Sequence, residues 1–206
     1  HLQDYSIFGS DACGEIVSMG SEVRNFQVGD EVIVHCNIVD NSDPVTHEDS
    51  MLSQSQSIWG YESNFGAFAE YTKVKQSQLL HKPININITD AGSLMLTLST
   101  SYRMLIGKNG ARLKSGETVL IWGATGGLGA FAIQLCKNAG CTVVAVVSGQ
   151  EKQKIATGLG ADYVVDRKDG LFQNLIKNDG TPNPLNWAKA KRSFNRLGIP
   201  PIDVVF

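Results

Sequence analysis

The residues with the clearest chemistry are three glycines at three-residue intervals, Gly123, Gly126 and Gly129, with Gly127 and Leu128 between the last two. Glycine lets a turn take a positive φ and lets a phosphate approach the backbone without a Cβ in the way. A turn of this kind before a helix points unpaired N–H groups and a partial positive charge at an anion. The five residues therefore predict a site for the pyrophosphate of a dinucleotide.

The segments on either side of these glycines are those that such a site needs. Residues 118–122 are strand-forming, and an apolar helical pattern follows at 130–139. The continuous apolar run 142–147 fits a parallel strand buried on both faces. A further helix and strand are predicted at 150–157 and 163–165, which continues the βα repeat of a dinucleotide-binding domain. The alternative is a doubly wound domain whose glycines only make tight turns.

The end of the second strand indicates which dinucleotide would bind. An NAD site usually places Asp or Glu there to hold the ribose 2′-OH, but this chain has Ser148. Lys152 follows four residues later and Arg167 follows the third strand. Both cations could reach a 2′-phosphate, and a guanidinium suits bidentate contact. We therefore predict NADPH as the cofactor; the alternative is that Lys152 and Arg167 are ordinary solvated surface charges.

The composition excludes several classes of protein. The chain has 206 residues, of which 42% are hydrophobic and 18% are charged, and its net charge is −2. This balance does not fit a nucleic-acid-binding or membrane-surface protein. The sequence contains no apolar run of roughly 18 residues and no signal-peptide pattern, so we expect a cytoplasmic protein.

The four cysteines predict neither disulfides nor a metal site. None forms a C-x-x-C pair, and His35-Cys36 is the only adjacent His/Cys pair in the sequence, without a cluster at ligand spacing around it. Cys136 and Cys141 lie in the dinucleotide-binding segment, where a free cysteine behaves as a small apolar residue. We therefore expect no metal ligands.

The N-terminal part of the chain has a different residue pattern, from which we predict a β-rich domain over residues 1–90. Short strand-forming runs at 14–17, 31–34 and 67–72 alternate with glycine turns. The polar stretch 41–57 has little periodicity and is predicted to be a long surface loop.

The dinucleotide-binding domain is predicted over residues 91–206. Thr89 or Asp90 is expected to cap a helix that runs to about Gly107 and leads into this domain. The fold class that follows is α/β, with a Rossmann-type doubly wound parallel sheet.

The end of the chain departs from a regular α/β repeat. Residues 167–200 are predicted to be a helical insertion whose helix starts at Asn183-Pro184. The segment 202–206 is predicted to be a fourth strand, whereas such sheets normally have six. We therefore expect both domains to be incomplete in this chain.

Two levels of resemblance to a known family rest on particular motifs. The segments 9–14, 17–23 and 29–32 are similar to the GroES-like domain of medium-chain dehydrogenase/reductases. Within that superfamily, the segments 58–71 and 99–103 and the glycine motif resemble crotonyl-CoA carboxylase/reductases. Their Trp-Gly-aromatic-Glu run is the specific element, because generic quinone reductases lack it.

The resemblance implies a particular reaction. NADPH would deliver hydride to the β-carbon of an α,β-unsaturated acyl-CoA, and the resulting enolate would attack CO2 to give a substituted malonyl-CoA. Protonation of the enolate competes with this step, so water must be excluded. The partners implied are an acyl-CoA thioester, CO2 and further copies of the chain in a dimer or tetramer, with no nucleic acid and no membrane.

The resemblance also assigns roles to residues. Tyr61 and Glu62 would belong to the CO2 pocket, with Tyr61 as a wall and Glu62 orienting a partner amide or water, while an Asn before residue 1 and a His after residue 206 complete it. Thr100 would contact the nicotinamide side of the cofactor. From the residues alone, Glu62 could instead be a turn carboxylate satisfied by backbone N–H groups, and Thr100 a helical threonine bonded to its own backbone.

Two other functions stay open on the sequence. A zinc-free enoyl-CoA or quinone reductase would share the cofactor site and only protonate the enolate. A nucleotide-binding fragment without turnover would share the fold.

Overall fold

The structure of the chain, a computed structural model, describes residues 5–168 and 175–206. The chain divides into two compact units, His1–Ser99 and Thr100–Phe206, and each is described by itself. Within the described ranges, no helix combines the length and hydrophobicity that crossing a membrane requires.

The first unit is built on short antiparallel strands. These are β1 (Ala12–Glu15), β2 (Glu31–Val34), β3 (Asn37–Ile38), β4 (Ser57–Ile58) and β5 (Leu79–His81). One sheet has the order β1-β2-β5, and β3 pairs with β4 in a second sheet. The prediction of a β-rich unit is confirmed, and β2 has the predicted bounds.

The predicted strand at 67–72 is wrong. Ala67 and Phe68 donate their backbone N–H groups to the carbonyl oxygens of Gly9 and Phe8, both at 2.9 Å. Ala69 then donates to the carbonyl of Ala67 (2.8 Å), a tight turn that bends the chain out of an extended ladder. The apolar alternation is real, but this local turn overrides it.

The predicted loop at 41–57 contains two short helical turns, α1 (Thr46–Asp49) and a 3₁₀ turn at Ser50–Leu52. Asp43 Oδ1 accepts the N–H of Val45 (3.0 Å), and Asp49 Oδ1 accepts the N–H of Met51 (3.1 Å). These carboxylates satisfy backbone donors at the turns, which is why a stretch without hydrophobic periodicity is still ordered into helical turns.

The single helix predicted from Thr89 or Asp90 to about Gly107 is two helices, α2 (Ile88–Ala91) and α3 (Met95–Leu105). The cap of α2 is Asn87, whose side-chain oxygen accepts the N–H of Asp90 (2.9 Å). Thr89 and Asp90 therefore lie inside the helix, because Asn87 offers an equally good N-cap earlier in the chain.

The second unit holds a four-stranded parallel sheet in the order β8-β7-β6-β9. Its strands are β6 (Thr118–Trp122), β7 (Thr142–Val147), β8 (Tyr163–Asp166) and β9 (Val204–Val205). This is the order of the first four strands of a dinucleotide-binding sheet. The predicted α/β class is confirmed, with β6 and β7 at the predicted bounds and β9 shorter than predicted.

The helices of the second unit follow the predicted order. They are α4 (Gly127–Asn138), α5 (Gln150–Gly158) and α6 (Pro184–Arg196). α4 begins three residues earlier than predicted, because the last glycines of the motif are already helical. α6 starts at the predicted Asn183-Pro184 with proline in its first turn, while residues 169–174 of the predicted insertion lie outside the described part.

The sheet of the second unit is buried on both faces, as its apolar runs predicted. Val119, Ile121 and Val143 pack into one core, whereas Leu120 and Val144 point to the opposite one. Each fully buried Val or Ile contributes about 1.5–3 kcal/mol. This rigid sheet fixes the strand ends from which the next turns start.

The two cysteines of the second unit belong to the first of these cores. Cys136 is fully buried and Cys141 is 2% exposed. Burial and the neighbouring Cys141 raise the pKa of the Cys136 thiol to about 12. The prediction that both act as small apolar residues is consistent with this burial.

Candidate functional site

The glycine motif forms a tight turn between β6 and α4. Gly123 follows β6 with φ +59°, and Gly126 donates its N–H to the carbonyl of Gly123 (2.8 Å). A Cβ added to Gly129 would lie 2.5 Å from the oxygen of Gly123 and 2.6 Å from the Cα of Ala124. Only glycine lets the first turn of α4 pack this closely on the loop.

Among the residues that the structure describes, no side chain caps the N-terminus of α4, which is therefore available to an anion. Its N-cap is Gly126, which makes no side-chain cap bond, while the N–H of Ala130 already bonds to the oxygen of Gly126 (2.9 Å). The backbone N–H groups of Gly127, Leu128 and Gly129 precede the first full helical turn, where no intrahelical acceptor exists. The arrangement can bind a phosphate through backbone donors and the helix dipole.

Helix α3 supports this turn through a residue that sequence reasoning missed. Ser101 is fully buried and donates its hydroxyl to the carbonyl oxygen of Leu128 (3.0 Å). Thr100, the residue implied to contact the nicotinamide, is half-buried beside it on α3. No local signal distinguishes Ser101, because Thr97, Ser99 and Thr100 are also short polar residues of the same helix.

The structure brings Ser148 and Arg167 to neighbouring strand ends. Val147 and Asp166 are register partners in the parallel ladder, and Arg167 donates its N–H to the carbonyl of Val147 (2.9 Å). Ser148, which follows Val147, is half-buried, whereas the Arg167 side chain is exposed. The two residues thus follow neighbouring strands at the same end of the sheet, and their role at a 2′-phosphate stays a prediction.

Two further cations flank the same end of the sheet. Lys152 lies in the first turn of α5 and is exposed, as is Lys168, which sequence reasoning did not single out. Cations near the first turn of a helix and after a strand end are placed to meet a dianion. The residues present therefore fit a phosphorylated dinucleotide.

Asp166, the last residue of β8, was also missed. It is 8% exposed, and its carboxylate accepts the N–H of Gly149 and the N–H of Lys168, both at 2.8 Å. These backbone donors hold the pKa of Asp166 below its ordinary value, against the effect of burial. The carboxylate is thus ionised and directed at the turn between β7 and α5.

Tyr61 and Glu62 lie in a tight turn of the first unit. The carbonyl of Ile58 accepts the N–H of Tyr61 (3.2 Å) and of Glu62 (2.7 Å). The Glu62 Oε2 atom accepts the N–H of Ile58 in return (2.8 Å). One carboxylate oxygen therefore has the turn role that the residues alone allowed, and the proposed role in CO2 binding stays a prediction.

The segment around Gly9 packs closely against the backbone of this turn. Gly9 donates its N–H to the carbonyl of Gly60 (3.1 Å), and a Cβ at Gly60 would stand 1.8 Å from the oxygen of Gly9. Trp59 is 1% exposed and donates its backbone N–H to Cys36. The aromatic before the turn is thus a core anchor, whereas Tyr61 is 68% exposed.

Comparison with known proteins places both units in described families. Residues 2–84 match the alcohol dehydrogenase GroES-like domain, and residues 127–183 match the zinc-binding dehydrogenase domain. The GroES-like resemblance of the first unit is thereby confirmed.

Relatives that match nearly the whole chain indicate a more specific family within these dehydrogenases. The chain is 42% identical over 197 residues to the crotonyl-CoA carboxylase/reductase of Cereibacter sphaeroides, which covers 95% of the chain. It is 40% identical over 207 residues to the crotonyl-CoA reductase of Streptomyces collinus, covering all of the chain. A solved structure of the 2-octenoyl-CoA carboxylase reductase CinF with NADP and 2-octenoyl-CoA covers 98% of the chain at 41% identity, with a TM-score of 0.86. The chain spans about half the length of these relatives, 46%, 46% and 45% respectively.

The name of the second family implies zinc, but the described residues do not fit a zinc ion. Within residues 5–168 and 175–206, no group of three or more His, Cys, Asp or Glu side chains is arranged to hold a metal. The Nδ1 atom of His35 already accepts the N–H of Asn37 (3.0 Å). Burial raises the pKa of the Cys36 thiol, which opposes the thiolate that zinc requires. No step is therefore assigned to a metal.

Proposed function

We propose, from the fact that this chain belongs to the crotonyl-CoA carboxylase/reductase family, that it binds NADPH for the reductive carboxylation of an α,β-unsaturated acyl-CoA. The observation that carries the proposal is that the glycine turn follows β6, Ser148 follows β7 and Arg167 follows β8, so that all three lie at the carboxyl ends of consecutive strands in the sheet order β8-β7-β6. These strand ends offer separate places for a pyrophosphate and for a 2′-phosphate.

The cofactor would be held by the second unit. The open N-terminus of α4 would bind the pyrophosphate through the backbone N–H groups of residues 127–129. Ser148, Lys152 and Arg167 would hold the 2′-phosphate, each charged contact contributing about 1.5–3 kcal/mol. When bound, NADPH supplies the hydride that reduces the double bond. Thr100, on α3 beside the glycine turn, would orient the nicotinamide.

The first unit would supply the pocket in which the enolate meets CO2. Tyr61 would exclude water from that pocket, since protonation competes with carboxylation. Glu62 uses Oε2 to close its own turn, which fixes the direction of the carboxylate and leaves the other oxygen to orient an amide or a water molecule. CO2 has only weak acceptor oxygens, so a few preorganised contacts would have to hold it.

A second candidate function is reduction of the enoyl-CoA without carboxylation. Tyr61 is 68% exposed in the first unit, and the carboxylate of Glu62 is partly committed to the backbone. Both observations favour a pocket in which water reaches the enolate. The reductase would keep the same NADPH site.

Product analysis in bicarbonate distinguishes these functions. The protein is incubated with crotonyl-CoA, NADPH and bicarbonate, and the thioesters are identified by mass spectrometry. A carboxylated product supports the proposal, and a saturated thioester alone supports the second candidate. Binding of NADPH without turnover of the thioester would reject both in favour of a nucleotide-binding fragment.

We also propose a homo-oligomer formed through the second unit. Strand β8 lies at an edge of the parallel sheet, and an exposed sheet edge is a surface that proteins usually cover. Light scattering of the purified chain tests this, with a dimer or tetramer expected and a monomer at all concentrations contradicting it.

A further inference from the structure

We propose that Asp166 is the positioning residue of the 2′-phosphate site, because it holds together the two backbone segments that carry Ser148 and Arg167. The inference rests on the proposed binding of NADPH and adds to it the residue that makes the site selective. Asp166 would not touch the phosphate; it would act through its neighbours.

The carboxylate of Asp166 connects three parts of the second unit. Its Oδ2 atom accepts the N–H of Gly149 (2.8 Å) and the side-chain amide of Gln153 (3.1 Å). Its Oδ1 atom accepts the N–H of Lys168 (2.8 Å). The turn after β7, the first turn of α5 and the chain after β8 therefore meet on one side chain.

Each backbone donor is adjacent to a predicted phosphate ligand. Gly149 follows Ser148 and has φ +88°, a conformation that the bond to Asp166 helps to fix. Lys168 follows Arg167, so the bond to Asp166 turns the chain just after the guanidinium-bearing residue. Since Arg167 is also bonded to the strand before Ser148, the two ligands are set at a fixed backbone separation.

An acidic residue in this place would ordinarily oppose a phosphate. A bare carboxylate repels a dianion, and its removal would strengthen phosphate binding. In this structure the carboxylate lies against two backbone donors and one amide donor, and the ammonium of Lys168 acts on it electrostatically. Repulsion and positioning thus predict opposite signs for the effect of removing the charge, which makes the inference testable.

The test uses Asp166→Asn, with Asp162→Asn as the matched control. Asp162 precedes the same strand and accepts the backbone N–H of Val143 (2.7 Å) and the Lys137 ammonium (2.8 Å). It is therefore a backbone-bonded aspartate at the opposite end of β8. The dissociation constants of NADPH, NADH and adenosine 2′,5′-bisphosphate are measured by calorimetry for the wild-type chain and both variants.

We expect Asp166→Asn to raise the dissociation constants of NADPH and of the bisphosphate about tenfold, which corresponds to about 1.4 kcal/mol. The constant for NADH should change less than about twofold, because NADH lacks the 2′-phosphate. Asp162→Asn should change none of the three dissociation constants, although it lowers thermal stability. Tighter or unchanged binding of NADPH to Asp166→Asn, or equal weakening of NADPH and NADH, overturns the inference.

A second variant keeps the test decisive where Asp166→Asn does not fold. Gln153→Ala removes one donor from Asp166 and keeps its charge and both backbone bonds. It should raise the constant for NADPH about two- to threefold with NADH unchanged, and no change in the NADPH to NADH ratio would overturn the inference. A wild-type chain without preference for NADPH would instead reject the proposed cofactor, which separates the two failures.

Discussion

Ser101 on α3 donates its hydroxyl to the carbonyl oxygen of Leu128 in the first turn of α4, at 3.0 Å, from a fully buried position. The bond joins a helix that precedes the parallel sheet to the turn that would bind the pyrophosphate. A buried side chain therefore ties the first turn of α4 to α3.

Replacing Ser101 by Ala should weaken both dinucleotides equally. The carbonyl of Leu128 would lose the hydrogen bond from the buried Ser101, which costs about 1 kcal/mol of stability, and the pyrophosphate donors would be less well held. We expect the dissociation constants of NADPH and NADH to rise by the same factor of about three to ten, measured by calorimetry. Ser99→Ala is the control, because the Ser99 hydroxyl donates to the carbonyl of Leu96 within its own helix (3.2 Å). A change in the ratio of the two constants would contradict the assignment.

The glycine turn permits a sharp comparison of two substitutions. A Cβ at Gly129 would stand 2.5 Å from the oxygen of Gly123, so Gly129→Ala should displace α4, cost about 1–3 kcal/mol and abolish NADPH binding. Gly158→Ala is the control: its Cβ would meet nothing within 4 Å, and a helical Gly→Ala change stabilises by about 0.5–1 kcal/mol. Urea unfolding and NADPH titration measure both effects. Wild-type stability of Gly129→Ala would show that the close contact is not required.

Continuous apolar runs in the sequence made the strands of the second unit predictable. The runs at 118–122 and 142–147 are continuous and apolar because both faces of the sheet are buried, and their bounds as strands are those predicted. The predictions were wrong where a local side chain or turn determines the backbone conformation. Asn87 competes with Thr89 and Asp90 as the cap of α2, and only the folded chain shows which of them wins.

The residues of the candidate site also divide into those that the sequence predicted and those that it did not. The glycines and the cations were predicted because a phosphate restricts which residue types can surround it. Ser101 and Asp166 were not, because their partners Leu128 and Gly149 lie 27 and 17 residues away in the chain. A hydrogen bond across such a distance leaves no local pattern in the sequence, so it is found only once the strand order brings the two ends together.

The preference for NADPH over NADH should depend on the cations near the carboxyl ends of β7 and β8. Lys152→Ala and Arg167→Ala should each weaken NADPH binding by about 1.5–3 kcal/mol and NADH binding far less, since only NADPH offers a 2′-phosphate. Lys154→Ala, two residues further along α5 and also exposed, serves as the control. Calorimetry at low and high salt should show a salt-dependent loss for the first two variants. Equal weakening of both dinucleotides would remove the 2′-phosphate assignment.

Asp162 should make the stability of the second unit dependent on acid pH. Burial raises its pKa, but the hydrogen bonds from Lys137 and from the N–H of Val143 outweigh burial and hold the pKa below the ordinary 3.8. A depressed pKa means stability that is present above about pH 4, the pKa of an unfolded aspartate, and is lost as pH falls through the folded value. Asp162→Asn should therefore lose less stability than wild type between about pH 5 and pH 3 in urea unfolding. Parallel pH profiles of the two proteins would contradict this role.

The carboxylate of Glu62 gives the sharpest test of carboxylation against simple reduction. In Glu62→Gln the side-chain carbonyl can still accept the N–H of Ile58, the bond that closes the turn at 2.8 Å, so the fold should be kept. The negative charge that would orient a partner amide or water is lost, and protonation should then gain on CO2 capture. We expect the carboxylated fraction of product to fall about tenfold or more, with NADPH affinity unchanged. Glu70→Gln, another exposed glutamate of the first unit, should leave that fraction as in wild type. A product ratio unaffected by Glu62→Gln would leave this residue with only its turn role and favour a reductase.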